Sequence, residues 1–180
     1  MYKNLKNFLF FYGVFLVLSI FPSSFKVQNI PWHNQGEIQK VQKFLIENHG
    51  FYHTDMAVCF VPKIKNGTAI LLVCKSVLTK EICGFLFCEM DSKNKAGVLS
   101  YEVIPEKYSN QKGEIFSVLL QEVQKRCKFC HLKQLYCSVH KDKKQFYTKF
   151  GFTEHHVIAG TINRLIGLES SSNIHMQKKL

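Results

Sequence analysis

The chain has 180 residues, which is enough for one domain with a substantial buried core. Its hydrophobic fraction of 46% and charged fraction of 21% are typical of a globular protein and exclude a disordered one. The net charge of +11 indicates either simple solubility or contact with a polyanion. No basic run interleaved with aromatic residues and no nucleic-acid-binding motif occurs, so we predict no nucleic-acid partner.

Residues 1–24 form a hydrophobic segment that we treat apart from the domain at residues 25–180. Lys3 and Lys6 precede an uncharged stretch over residues 7–25. A basic start, a short apolar run and small polar residues are typical of a signal peptide, although no clean cleavage site follows. The apolar run of about 14 residues is short for a transmembrane helix, which needs about 20. A signal peptide, an uncleaved membrane anchor and a first element of the fold all stay open.

All seven cysteines lie in the domain, at positions 59, 74, 83, 88, 127, 130 and 137. An odd number without regular spacing argues against a disulfide framework. Three of them fall in apolar runs, where a free cysteine behaves as a small hydrophobic residue. Free cysteines favour a membrane-anchored protein with its domain on the reducing side. Export through a signal peptide is the alternative.

The domain alternates between strand and helix patterns. Apolar periodicity and turn residues predict a strand at 25–32, a helix at 37–49, an apolar run at 56–61, strands at 69–74, 82–88 and 98–104, a helix at 113–130, a strand at 135–139, a helix at 143–150, and strands at 152–158 and 173–179. This order predicts an α/β (α+β) fold, in which a mixed sheet carries helices on both faces.

The segment from Phe146 to Phe152 predicts a helix that stops abruptly. Gly151 can adopt the left-handed backbone conformation that ends many helices, because it has no Cβ atom to clash. Phe152 then begins the next strand and is expected to anchor it in the core. The same segment places two aromatic residues, Phe146 and Tyr147, on the helix just before its end.

Three motifs, which follow one another along the chain, resemble the central part of the GNAT superfamily of acyltransferases. They are Val103-Ile104-Pro105 at the end of a strand, Gln111-Lys112-Gly113-Glu114-Ile115-Phe116 before the long helix, and Leu119-Leu120 within it. The last seven residues, 174–180, are similar to the closing strand of the family. The resemblance covers residues 69–180 well and residues 26–60 loosely.

The resemblance implies a mostly antiparallel mixed sheet flanked by helices on both faces. It also implies an N-acyltransferase that moves an acetyl group from acetyl-CoA, as acyl donor, to an amine, with no metal. Residues 37–61 and 159–172 would set the choice of acceptor, but they contain no motif that identifies it. His155, His156 and the basic composition hint at an acidic or phosphorylated acceptor.

The loop before the long helix is the expected coenzyme A site. A helix N-terminus offers unpaired backbone N–H groups to a pyrophosphate wherever small residues leave the backbone open. By resemblance, the cofactor-binding residues are Val103, Ile104, Gln111, Lys112, Gly113, Glu114, Ile115 and Phe116. Glu114 and Phe116 replace small residues of the family and add negative charge and bulk. Either the loop has lost coenzyme A and the protein is an inactive binding module, or a rearrangement centred on Gly113, with Lys112 at a phosphate, preserves the site.

Acyl transfer to an amine needs a polarised thioester carbonyl, a neutral amine and a proton for the departing thiolate. The resemblance implies Tyr147 as the proton donor, although a packing role is equally consistent with the sequence. A backbone amide near Val103 or Ile104 would hold the thioester oxygen. Glu102 is the candidate base, and a solvated strand carboxylate is the alternative. His140 replaces an asparagine of the family and can form a hydrogen bond or act as a base.

A second motif competes with this interpretation. Cys127-Lys128-Phe129-Cys130-His131 matches the C-x-x-C-H pattern of c-type haem attachment, and Cys137 with His140 has a spacing found in zinc sites. The first string lies at the end of a predicted helix, and too few residues separate the two halves for a usual zinc motif. We therefore expect ordinary helix-end cysteines here.

Overall fold

The computed structural model describes residues 24–49, 59–155 and 173–180. Some expectations from the sequence fall outside these ranges. They concern the first 23 residues, residues 50–58, His156 and the proposed acceptor segment 159–172. Within the described ranges, no helix is both long and apolar enough to cross a bilayer.

Within the described residues, seven strands form one sheet, with helices packed on both of its faces. The strands are β1 Phe25–Asn29, β2 Ala69–Ser76, β3 Ile82–Asp91, β4 Ala96–Val103, β5 Gln134–His140, β6 Thr153–Glu154 and β7 Asn173–Lys179. The helices are α1 Gln35–His49, α2 Val61–Lys65, α3 Lys112–Phe129 and α4 Lys144–Lys149, with 3₁₀ turns at Glu106–Gln111 and Lys141–Lys143. The strand order is β1-β2-β3-β4-β5-β7-β6, and of the described strand pairs β4–β5 is parallel while the others are antiparallel. The predicted fold class is confirmed.

Each face of the sheet has its own hydrophobic core because successive side chains of a strand point to opposite faces. We call the face covered by α1 and α2 the α1 side. Helix α1 contributes the predicted apolar stripe of Ile38, Val41, Phe44 and Leu45. This stripe packs on strand residues Leu71, Val73, Phe85, Phe87 and Val103. We call the opposite face the α3 side. There α3 and α4 pack on Leu72, Cys74, Leu86, Cys88 and Leu99.

Helix α4 ends as the sequence predicts. Gly151 has a φ angle of +81°, in the left-handed region. Its N–H group donates to the Thr148 carbonyl at 2.9 Å, and the Phe152 N–H group donates to the Tyr147 carbonyl at 3.3 Å. This pair of bonds is the Schellman motif, whose apolar contact is supplied here by the Tyr147 and Phe152 rings, 5.7 Å apart. The motif fixes Tyr147 relative to the following strand.

Helix α3 ends in the same motif, and this accounts for the C-x-x-C-H string. His131 has a φ angle of +58° and donates its N–H group to the Lys128 carbonyl at 2.9 Å, while Leu132 donates to the Cys127 carbonyl at 2.9 Å. Cys127 is buried in the core and Cys130 is exposed. Among the residues that the structure describes, no three His, Cys, Asp or Glu side chains lie close enough to hold a metal ion.

The two helix ends predict opposite effects of substitution. Gly151→Ala is expected to destabilise the protein by about 1–2 kcal/mol, because an L-residue is strained in the left-handed region. A Cβ atom there would also lie 3.1 Å from Lys178 Nζ. His131→Gly is expected to stabilise the protein by about 1 kcal/mol, because it removes the same strain. Urea unfolding of both variants measures the two changes in unfolding free energy. The explanation would be contradicted if both substitutions changed it in the same direction.

Candidate active site

A cleft opens where the two parallel strands separate. Strands β4 and β5 are paired from Ala96 with Gln134 to Leu99 with Cys137, and the pairing stops there. Beyond this point the diverging strands enclose a cavity of about 220 Å³, which we call the β4–β5 cleft. The three predicted catalytic residues all line it: Glu102 from β4, His140 from β5 and Tyr147 from α4. The fold thus brings together side chains that are far apart in the sequence, and their roles stay predictions.

A β-bulge in β4 determines which way Glu102 points. Cys88 of β3 pairs with Leu99 and Phe87 pairs with Tyr101, so Ser100 is an extra residue in β4. One extra residue reverses the faces of all residues that follow it. Tyr101 therefore lies on the α1 side, with its ring 5.2 Å from that of Phe60, and Glu102 lies on the α3 side beneath α4.

Glu102 contacts both Tyr147, which lines the cleft with it, and Lys112, which lies beside the cleft. The Tyr147 hydroxyl donates a hydrogen bond to Glu102 Oε2. Lys112 Nζ lies 3.9 Å from Glu102 Oε1 and 5.0 Å from the centre of the Phe146 ring. The carboxylate therefore contacts both the phenol and a lysine at the start of α3. This contact links the cleft with the predicted cofactor loop.

The environment of Tyr147 keeps its hydroxyl protonated. Burial first, and then the nearby negative charge of Glu102, raise the pKa of Tyr147 above its ordinary value of 10.0. At neutral pH the phenol therefore keeps its proton, which is the form that can donate to a leaving group. Only 5% of the residue is exposed, so solvent competes little for this proton.

The raised pKa of Tyr147 predicts a loss of stability in alkali. Above about pH 10 the unfolded chain releases the tyrosine proton before the folded protein does, so the free energy of unfolding falls as the pH rises. Tyr147→Phe is expected to lessen this fall. Urea unfolding of the wild type and of Tyr147→Phe at about pH 8 and about pH 10.5 measures the fall in unfolding free energy. An equal fall in the two proteins would contradict the raised pKa of Tyr147.

His140 lies at the rim of the cleft. Its Nδ1 atom is 3.0 Å from Asp142 Oδ2, and half of its side chain is exposed. The Asp142 carboxylate engages one of the two ring nitrogens and so orients the ring. This position is compatible with the predicted role in hydrogen bonding or proton transfer.

The predicted cofactor loop has an open helix N-terminus. A 3₁₀ turn leads directly into α3, which begins at Lys112, one residue earlier than predicted. Gln111 occupies the N-cap position, and its side chain caps none of the backbone N–H groups. Gly113 and Glu114 are exposed, and a Cβ atom added to Gly113 would meet no atom within 4 Å. The Lys112 N–H group donates to the Ser109 carbonyl, so the N–H groups that the first turn of α3 leaves for a ligand are those of exposed Gly113 and Glu114.

Ile115 and Phe116 have fully buried side chains. The Phe116 ring lies 5.2 Å from Phe146, 5.3 Å from Tyr147 and 4.8 Å from Phe150, measured between ring centres. Its bulk therefore faces the core beneath α4, whereas the sequence had suggested an obstruction over the loop. The helix turns these two positions away from its exposed N-terminal turn, so any contact they make with a cofactor must come from the backbone.

The other predicted cofactor residues lie at the end of β4. Val103 packs on the α1 side, and Ile104 packs partly against the core of the α3 side. Sequence reasoning missed two serines that are among the residues lining the cleft, Ser100 and Ser138. No pattern marked them, because one is the bulge residue and the other alternates with buried positions in an ordinary strand.

No protein-family model and no curated protein matches the sequence. The structure resembles many solved acetyltransferases. PaiA N-acetyltransferase from Thermoplasma acidophilum, solved in complex with coenzyme A, is 15% identical, with a TM-score of 0.60 over 87% of this chain and 99% of that one. A GNAT-family acetyltransferase from Staphylococcus aureus Mu50 is 16% identical, with a TM-score of 0.63 over 86% and 99%. Aminoglycoside 6'-N-acetyltransferase from Enterococcus faecium is 15% identical, with a TM-score of 0.64 over 86% and 96%. The chain therefore has the GNAT fold.

Proposed function

We propose that the protein is an N-acyltransferase that transfers an acetyl group from acetyl-CoA directly to an amine. The observation that carries the proposal is the β4–β5 cleft, in which the protonated Tyr147 hydroxyl is held by Glu102 close to an open helix N-terminus. The fold supports it, since proteins of the same fold include N-acetyltransferases and one of them was solved with coenzyme A.

The start of α3 would hold the pyrophosphate of the acyl donor. Its exposed N–H groups and the positive end of the helix dipole attract phosphate, and nothing covers Gly113. Lys112 lies in the same turn and can approach a phosphate oxygen. Glu114 opposes binding because its carboxylate is in the first turn of the helix. The thioester arm would then run from this turn into the cleft.

The reaction follows from this arrangement. The nitrogen lone pair of the amine attacks the thioester carbonyl carbon, a C–N bond forms, and the C–S bond breaks. The departing thiolate takes the proton of Tyr147. The proton that the nitrogen loses passes to Glu102, the predicted base, which returns one proton to the Tyr147 oxygen, so no net proton is consumed. A backbone N–H group at the end of β4, near Val103 or Ile104, would stabilise the oxyanion.

Glu114 favours a second candidate, a GNAT-fold binding module that no longer holds coenzyme A. Titration of the full-length chain with acetyl-CoA by calorimetry distinguishes the two. Glu114→Gln is expected to tighten binding about two- to fivefold, since a charge at a helix end contributes about 0.3–1 kcal/mol. Glu47→Gln is the matched control, because it removes the same charge from an exposed position in α1. Equal effects of the two substitutions would contradict the placement of the phosphates.

We propose that the domain works on the reducing side of a membrane, with residues 7–25 as its anchor. All seven cysteines lie in the described part of the chain and are free. Cys83 Sγ donates to the Cys74 carbonyl at 3.2 Å, so two neighbouring buried thiols coexist without forming a disulfide. Fractionation of cells that express a tagged full-length chain, with protease protection of the domain, tests this placement.

A further inference from the structure

The turn between β2 and β3 holds apolar side chains out into solvent. We call residues 77–80 the β2–β3 tip. Leu78 is 90% exposed and its neighbour Val77 is 39% exposed. The turn is closed by backbone bonds, since the Lys80 N–H group donates to the Ser76 carbonyl at 3.0 Å. The fold therefore presents these two side chains in a fixed position, and exposed apolar groups with a polar rim mark many interaction sites.

The hydrophobic N-terminal segment joins the domain beside this tip. Strand β1 is antiparallel to β2, and just beyond their first pair the Val77 N–H group donates to the Ser24 carbonyl at 2.9 Å. The apolar run of the sequence ends at Phe21, three residues before Ser24. Three residues span at most about 10 Å. With the proposed anchor in a membrane, the β2–β3 tip therefore lies close to the membrane surface.

A basic groove lies next to the tip, between β1 and the end of β2. It has a volume of about 620 Å³, and Lys26, Lys75 and Lys80 line it, while none of the described residues in its lining is acidic. Lys75 pairs with Glu37 of α1 at 2.5 Å. Lys26 and Lys80 are exposed and form no ion pair with any residue that the structure describes. The groove therefore offers two unpaired positive charges to an anion.

Glu81 is the acidic residue that follows the tip, and its charge is already compensated. Lys107 Nζ lies 3.2 Å from Glu81 Oε2, and the Tyr108 hydroxyl donates to the same oxygen at 3.2 Å. Lys107 belongs to the 3₁₀ turn that leads into α3. The tip and the predicted cofactor loop thus lie at the same end of the sheet.

We propose that the β2–β3 tip and its groove dock on a bilayer that contains anionic phospholipids. Leu78 and Val77 insert between the headgroups, while Lys26 and Lys80 contact lipid phosphates. An anionic leaflet attracts basic groups that lie near its surface. This contact goes beyond the proposed enzyme activity and rests on the proposed anchor, which brings the tip to the membrane. Docking holds the cofactor end of the sheet at the membrane surface.

A single tryptophan at the tip tests the contact. Trp32 is the only tryptophan of the chain, so Leu78→Trp is combined with Trp32→Phe in the full-length protein. The protein is reconstituted in vesicles of phosphatidylserine and phosphatidylcholine, the latter brominated on its acyl chains to quench nearby tryptophan. We expect the variant to lose most of its emission, because groups docked at the interface reach about 5–10 Å into the headgroup boundary.

Phe129→Trp, again combined with Trp32→Phe, is the matched control. Phe129 is 86% exposed, and it lies at the far end of the 18-residue helix α3. That end is about 27 Å from the start of the helix. A tryptophan introduced there should keep its emission in the same vesicles, because this end of the domain points away from the docked surface.

Lysine variants identify the charges responsible. In the tip-tryptophan protein, Lys26→Gln with Lys80→Gln is expected to lower the ratio of docked to undocked protein at least about tenfold, because each lysine near an anionic leaflet contributes about fivefold. Vesicles without phosphatidylserine should have a similar effect. Lys93→Gln with Lys95→Gln is the control, since these exposed lysines lie in the opposite hairpin and Lys95 is left-handed like Lys80, with φ angles of +51° and +63°.

Three results would overturn the inference: equal quenching of the tip variant and the Phe129→Trp control, quenching that does not depend on phosphatidylserine, or equal effects of the two lysine pairs. Emission that shifts to the blue without lipid as the protein concentration rises would assign the tip to contact between two copies, and would also overturn it. Release of the chain from vesicles by alkaline carbonate would instead overturn the proposed anchor, while quenching would still decide the docking surface. Failure to bind acetyl-CoA would overturn only the proposed activity.

Discussion

Tyr147→Phe is expected to lower kcat about 100- to 10,000-fold, the range that general acid catalysis contributes. The phenylalanine ring keeps the packing against Phe116 and Phe152, but it has no proton for the thiolate. Affinity for acetyl-CoA should change little, because the start of α3 is intact. Steady-state kinetics with a primary amine, together with calorimetric titration of acetyl-CoA, measures both quantities.

Tyr136→Phe is the matched control for this experiment. Its hydroxyl bonds to Gln134 within β5, away from the Glu102 contact, so the same loss of one hydroxyl should leave kcat within about twofold. An equal loss in both variants, or a tenfold smaller loss in Tyr147→Phe than in Glu102→Gln, would contradict the role of Tyr147 as the proton donor.

Phe116→Ala is expected to cost about 3–5 kcal/mol of unfolding free energy, as for other buried phenylalanines. Its ring is fully buried among three aromatic rings of α4, and its removal leaves a cavity directly beneath Tyr147. Since the ring faces the core, the substitution should not tighten binding of acetyl-CoA. Urea unfolding and calorimetric titration measure the two effects.

Phe129→Ala provides the comparison for Phe116. Phe129 is at the end of the same helix with 86% of its surface exposed, so its loss should change stability by no more than about 0.5 kcal/mol. Tighter binding of acetyl-CoA by Phe116→Ala, with little loss of stability, would show that the ring obstructs the loop after all.

The fold could be predicted because each element carries a local signal. Apolar periodicity located α1 and α3, and the turn residues between strands located the meander from β2 to β4. The left-handed conformation of Gly151 followed from its lack of a side chain. His131 adopts the same conformation without this advantage, so its left-handed conformation had no comparable signal, although the end of the helix itself was predicted.

The site could be predicted only in part, because its geometry depends on contacts distant in the sequence. Tyr147 was identified from the family resemblance and Glu102 from its place on the strand before the loop, but their hydrogen bond joins residues 45 positions apart. The bulge that turns Glu102 toward α4 depends on the register of β4 against β3, which no local pattern specifies. Ser100 was missed for the same reason.

Titration of the full-length protein with acetyl-CoA, beside its Gln111→Ala variant, tests the central claim most directly. Gln111 is the N-cap residue of α3, and its side chain is available to a ligand because it caps no backbone group. The account predicts binding at about micromolar concentration, weakened by the substitution. The account would be contradicted if the folded wild-type protein and its Glu114→Gln variant both failed to bind acetyl-CoA.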